Sequence, residues 1–169
     1  MAISALTSAD IFPTDGAVRI DFTQVDTSAA YAVNGTEVMT NKGPAVYCLS
    51  GTGGFTAGQY GALSQVVATG VVTATKEDTT SSGAAPRKGV VAIAAVPAAS
   101  YGWFLRGPFD RVPVQVANSV SSLAALTTTA SAGELGAGGD TVIGIYAIEA
   151  SGASGLTACS AINGLGTNI

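Results

Sequence analysis

Apolar residues in this chain recur with a period of two inside short runs. Glycine, proline, serine or asparagine ends most runs before they reach helix length. A period of two places alternate side chains on opposite faces of a pleated backbone, so the pattern points to strands joined by turns. Val18, Ile20 and Phe22 alternate with Arg19, Asp21 and Thr23. Tyr31-Ala-Val33, Asn34-Gly35 and Thr36-Glu-Val-Met39 read as a hairpin with a type I′ turn, because Asn tolerates positive φ and Gly favours it. Further strands are expected over 45–50, 63–75, 89–96, 100–106, 111–118 and 141–149, with a last one near 155–162. The segment 119–128 carries a weak helical signal, enough for one short turn; elsewhere β-branched residues and the 22 glycines disfavour helix.

The faces can be assigned from the same alternation. Val112, Val114 and Val116 point one way, and Pro113 on the other face marks an edge strand, since proline cannot donate to a ladder. Tyr101, Trp103 and Leu105 share a side opposite Gly102, Phe104 and Arg106. Ile143 and Ile145 alternate with Val142, Tyr146 and Ile148, so that strand is expected to be buried on both sides. The candidate structural core is therefore Tyr101, Trp103, Leu105, Val112, Val114, Val116, Ile143 and Ile145. The expected fold is all-β, a single-domain β-sandwich or β-barrel of about ten short strands. An extended N-terminal arm is expected over 1–17, followed by a β-rich domain over 18–169. Segments 76–88 and 133–140 read as exposed loops, the first because it holds Lys76, Glu77, Asp78, Arg87 and Lys88.

Only 11% of residues are charged, against about 25% in an ordinary soluble domain. Mean hydropathy is +0.43. The long uncharged stretches 43–75, 112–133 and 150–169 are all interrupted by polar or turn residues, and Pro97 breaks the most apolar one, 90–105. None supplies the roughly 20 continuous apolar residues of a spanning helix, so no membrane partner is expected. The surface must be made of Gly, Ala, Ser and Thr, which suits packing against other protein copies. The net charge of −4 and seven scattered basic residues argue against nucleic acid. The opening Met1–Asp10 has neither a basic start nor a long apolar stretch, so it does not read as a signal peptide. Cys48 and Cys159 each lie in an apolar strand-like run and read as small buried hydrophobes, consistent with cytoplasmic synthesis and reduced thiols.

The chemistry of known sites is sparse. The chain has no histidine, so it cannot build a Ser-His-Asp triad, a Cys-His pair or an imidazole metal site. Two cysteines alone are too few soft ligands for structural zinc. Asp10, Asp15, Asp21 and Asp26 are nearly evenly spaced but lack the calcium-loop pattern, and read as turn residues. The glycine-rich run 51–61 lacks the Gly-Lys-Ser/Thr ending of a phosphate loop and reads as a turn. Asn34-Gly35-Thr36 matches a glycosylation sequon, at an expected hairpin tip. Carboxylates are present but not beside aromatic platforms in a glycosidase-like pattern. The reading is a non-enzyme without cofactor or metal.

The segment Val96-Pro-Ala-Ala-Ser-Tyr-Gly-Trp-Phe-Leu-Arg-Gly107 resembles the "YGW" strand of tailed-bacteriophage head decoration (cement) proteins and related small virion structural proteins. Arg111-Val-Pro-Val-Gln-Val-Ala117 is similar to the valine-rich strand that follows it, Ala132-Gly-Glu-Leu135 to a small-residue turn, and Val142-Ile-Gly-Ile-Tyr-Ala147 to a later strand. Phe55-Thr-Ala-Gly-Gln-Tyr-Gly-Ala-Leu63 looks like the family's turn into a strand. The resemblance spans residues 50–150 and leaves out the first 45. It implies a structural protein of the virion, made in the host cytoplasm and added to the capsid exterior of a bacteriophage. Its partners would be the major capsid protein and copies of itself, as a homo-oligomer and typically a homotrimer. The arm (1–17) and the segment 76–88 are the expected contacts. Alternatives from other classes are a phage tail or head-fibre component, which would favour long repeats, and a lectin-like β-sandwich binding module, which would need exposed aromatics near carboxylates.

Overall fold

The computed structural model describes residues 3–14, 20–65, 68–78, 88–137 and 141–167, with side chains described except over 141–143 and 162–167. Eleven strands follow in chain order: β1 (Glu37–Thr40), β2 (Gly43–Ser50), β3 (Tyr60–Gln65), β4 (Val72–Lys76), β5 (Lys88–Ala92), β6 (Tyr101–Arg106), β7 (Phe109–Val116), β8 (Ala125–Thr128), β9 (Leu135–Gly136), β10 (Thr141–Ala147) and β11 (Gly155–Thr167). The chain is all-β. Hydrogen-bonded neighbours trace two closed rings of five strands. The first runs β2-β4-β3-β5-β6 and returns to β2; the second runs β11-β10-β8-β9-β7 and returns to β11. β1 flanks the first ring on β2, and the rings meet along the sheet at Gly166 and Lys88. Closure removes the unpaired edges that an open sheet would expose.

Register explains the two hydrophobic clusters. Val46 on β2 lies opposite Phe104 on β6, which lies opposite Ala92 on β5. These residues, with Cys48, Ala74, Val90, Phe55 and Val96, fill the first barrel. Phe55 meets Phe104 edge-on, with ring centroids 5.0 Å apart. The alternate residues of the same strands, Ala45, Tyr47, Val91, Trp103 and Leu105, point out of that barrel into the larger cluster. There they join Ile11 and Phe22 from the N-terminal segment and Val112, Val114, Val116, Leu126, Leu135 and Ile145 from the second barrel. Trp103 lies 5.1 Å from Phe22 and 5.2 Å from Tyr47 by ring centroid. The two barrels share this core, which makes them one domain.

Gly58 joins the barrels through its backbone. Its N–H donates to Ala92 and its carbonyl accepts from Gln115, both at 2.8 Å. Its φ is +81°, and a Cβ there would stand 2.5 Å from Leu156 Cδ2 and 3.0 Å from the Pro113 carbonyl. Bulges bend the second ring closed. One falls between Ile143 and Ile145, where Gly144 has φ +94°; another falls near Arg111, at φ +49°, whose N–H donates to Ser160 Oγ.

Several expectations change. The alternation over 18–23 is not a strand where it is described: residues 18–19 lie outside the described residues, and Asp21 captures the Thr23 N–H and hydroxyl in a tight turn. Phe22 is nonetheless fully buried. Asn34-Gly35 makes a turn but no hairpin; β1 folds back on β2 through Asn41-Lys42 instead, with Thr40 Oγ1 donating to the Gly43 carbonyl. The expected strand 63–75 is two antiparallel strands, β3 and β4, with Gly70 at φ +69° in the connection. The helical turn expected in 119–128 is a tight turn followed by β8. Where its side chains are described, β10 is buried on one face, since Ile145 and Ala147 point inward and Tyr146 is exposed. The 133–140 segment is not a free loop: Gly133 and Leu135 are buried, Leu135 pairs with Val116, and residues 138–140 lie outside the described residues. Lys76 closes β4, Glu77 is buried and Lys88 opens β5, while 79–87 lie outside the described residues.

Gly58→Ala is expected to cost about 3 kcal/mol or more, because backbone strain and overlap with Leu156 add. Gly70→Ala, with the same sign of φ but open space around it, is expected to cost about 1 kcal/mol. Chemical denaturation of the two variants separates the terms; equal losses would mean that Leu156 yields at no cost.

Candidate interaction surface

The residues singled out from the sequence form the interior. Trp103, Leu105, Val112, Val114, Val116 and Ile145 are buried, and Tyr101 is half-buried against the same cluster. Ile143 pairs with Gly166 through its backbone; its side chain lies outside the described residues. Pro113 lies opposite Ala158 on β11, and among the described residues the other side of β7 hydrogen-bonds to the two-residue strand β9 and to Gly58. β7 is thus paired on both sides of its ring and is not the edge strand expected; Pro113 is tolerated because beside it the side away from β11 faces the Gly58 turn rather than a continuous ladder.

The spaced carboxylates build turns. Asp10 accepts from the Thr7 N–H and hydroxyl, and those bonds hold its carboxyl below the usual range. Asp26 accepts from the Tyr47 hydroxyl at 2.9 Å and the Gln24 amide at 3.0 Å. Asp15 lies outside the described residues. Among the described residues no group of three potential ligands could hold a metal ion.

The sequon asparagine is occupied. Asn34 Nδ2 donates to the Val72 carbonyl at 2.9 Å, and Asn34 Oδ1 accepts from the Val72 N–H at 2.7 Å. The side chain thus imitates a neighbouring strand along β4. A glycan on Nδ2 would have to displace this pair.

Both cysteines are free and buried, in different clusters. Burial pushes each thiol up to about 12. Burial also raises the hydroxyls of Tyr47 and Tyr60, aided by Asp26 in the first case and Glu77 in the second. Among the described residues Tyr60 Oη and Trp103 Nε1 find no hydrogen-bond partner.

The exposed apolar groups offer surfaces for recognition, and none of them was singled out for that role from the sequence. Phe12 is 54% and Met39 57% exposed. They protrude together because the arm is stitched along β1. Thr14 N–H donates to the Met39 carbonyl, Asn41 N–H to the Phe12 carbonyl, and Pro13 bridges Thr40. Asn41 adds two side-chain bonds, accepting from Phe12 N–H and donating to the Asp10 carbonyl. Ile11, next to Phe12, is buried and anchors the segment. The only sequence signal for this arrangement was the apolar pair Ile11-Phe12 before Pro13. Leu123, 79% exposed at φ +61°, forms a second protrusion; its N–H donates to the carbonyl of Ala147, the neighbour in sequence of the exposed Tyr146. Tyr31 lies near Asp21, but its hydroxyl accepts the Asp21 N–H and its ring leans on Tyr47, so it offers no free platform.

The folded pKa values of both thiols and both tyrosines lie above their unfolded values, so folding favours the neutral forms. The stability they carry is complete below pH 9.0, the ordinary thiol value, and is lost as pH rises through about 12. Melting temperature is expected to fall steadily above pH 9. At pH 8 a thiol reagent is expected to label neither cysteine in the folded protein and both in denaturant; rapid labelling without denaturant would contradict the burial. Compared with known proteins, the chain matches no family model and has no significant similarity to a curated relative.

Proposed function

We propose that this chain is a structural virion protein that binds the outer surface of an icosahedral phage head and stabilises it. The resemblance over residues 50–150 motivates the reading. The observation that supports it most is the pair Phe12 and Met39, held outward on a backbone already fixed by hydrogen bonds. Apolar groups that are rigid before binding lose little conformational freedom when they are covered, so a modest contact becomes useful. A shell repeats each such contact many times, and small free energies per copy sum to mechanical resistance. An interface of standard size hides roughly 1,600 Å², more than the Phe12–Met39 pair alone can supply. The major capsid protein and further copies of this chain would cover the rest, and the second protrusion at Leu123 and Tyr146 is the candidate for contact between copies.

The experiment adds the purified protein to heads that lack a decoration protein and follows DNA release on heating. Release is expected to shift to higher temperature with the parent chain. The shift should shrink strongly with Phe12→Ser and Met39→Ser combined, while the variant's own melting temperature stays within a few degrees. Absence of binding by the parent chain would overturn the reading. Light scattering is expected to show an oligomer, and Leu123→Ser should lower its mass.

A further inference from the structure

The two ends of the first barrel are built differently. At one end Phe55 enters between the strands, packs on Phe104 and is held by reciprocal backbone bonds to Val96. Gly61 is required there, since a Cβ would stand 2.8 Å from the Phe55 ring. This end is corked by hydrocarbon. At the other end register turns polar side chains inward. Arg106 lies opposite Val90, Lys88 opposite Leu63, and Glu37 opposite Val46, so all three share the face that lines the barrel. Between them is a cavity of about 320 Å³ whose floor is Val46, Leu63 and Val72. Arg106 donates to the Glu37 carboxylate, with its side chain only 20% exposed. Lys88 has no ion-pair partner among the described residues.

We infer that this open barrel end binds a small monocarboxylate with an apolar body. The inference does not depend on the capsid reading. A chain with only seven basic residues and a net charge of −4 places two of them at one cavity. Glu37 offsets one charge and orients the guanidinium, which leaves the cavity about one positive charge and free N–H donors. Charge-assisted bonds to a carboxylate use those donors best. The apolar floor excludes a bare inorganic anion, because its wall would stay wet, and favours a short hydrocarbon portion. The volume sits at the lower end of ligand cavities, which limits the occupant to a few carbons. The same chemistry is offered by a free short-chain acid and by the C-terminal residue of another polypeptide.

The test uses the full chain and methyl NMR, with sodium hexanoate as probe. Hexanoate is expected to shift the methyl signals of Val46, Leu63 and Val72 saturably, and hexylamine is expected to leave them unmoved. Lys88→Gln and Arg106→Gln should each weaken binding by about tenfold. Lys88 is exposed, so its variant keeps the test valid should Arg106→Gln fail to fold. An acetylated Gly-Leu dipeptide with a free carboxyl, compared with its amide, separates the sources. Binding of the acid peptide alone assigns the site to a chain terminus; binding of hexanoate assigns it to small acids. No saturable shift with either acid, equal shifts with hexylamine, or full affinity in a folded Lys88→Gln variant would overturn the inference.

Discussion

The first barrel has a wall that is apolar on both faces, and the rest of the molecule follows from covering it. Val46 and Cys48 point inward from β2 while Ala45 and Tyr47 point outward, and β5 and β6 repeat the arrangement with Val90 and Val91, Phe104 and Leu105. A free barrel with this wall would expose Trp103, Tyr47 and Leu105 to water. Fully burying one such side chain is worth about 1.5–3 kcal/mol. The N-terminal segment, through Ile11 and Phe22, and the second barrel, through Val112, Val114 and Ile145, together remove that surface. The two rings are therefore mutually dependent.

Small residues make the fit possible. Gly58 lets the 51–61 turn touch Pro113 and Leu156, and Gly43 lies where a Cβ would stand 2.3 Å from the Pro108 carbonyl. Each marks a place where backbone, rather than side chain, forms the junction between barrels. Buried backbone demands partners. Gly58 satisfies both of its groups across the junction, and Gly133 does the same between Glu77 and Tyr60. The low charge content and the glycine content thus have a shared cause, since much of the chain faces other parts of itself.

Polar side chains are placed by the same economy. Asn34 and Asn41 spend their amides on backbone at Val72 and at Asp10 and Phe12, fixing irregular segments to regular ones. Arg106 and Lys88 are turned to the barrel mouth, where the closed sheet leaves room. Of the apolar groups left outside, Phe12, Met39 and Leu123 stand on backbone that tertiary bonds hold in place.

Alternation along the chain was enough to identify β2, β6, β7 and β10 and to assign Trp103, Leu105, Val112, Val114 and Val116 to the interior. Period-two burial is a local property, readable from neighbours in sequence. The same logic misplaced residues 20–23, because a buried Phe22 looks alike in a strand and in a turn closed by Asp21. It also joined β3 to β4, since hydrophobicity continues through 66–68 and only Gly70 marks the reversal. The Phe12–Met39 protrusion and the barrel mouth were illegible, as both join residues distant along the chain. The residue order by itself determined strand content and which side chains turn inward. Tertiary structure alone decided which edges pair, that the strands close into two rings rather than one sandwich, and that Asn34 serves β4 instead of a hairpin. Those outcomes rest on non-local pairing, whose free energy depends on how every other strand has already closed.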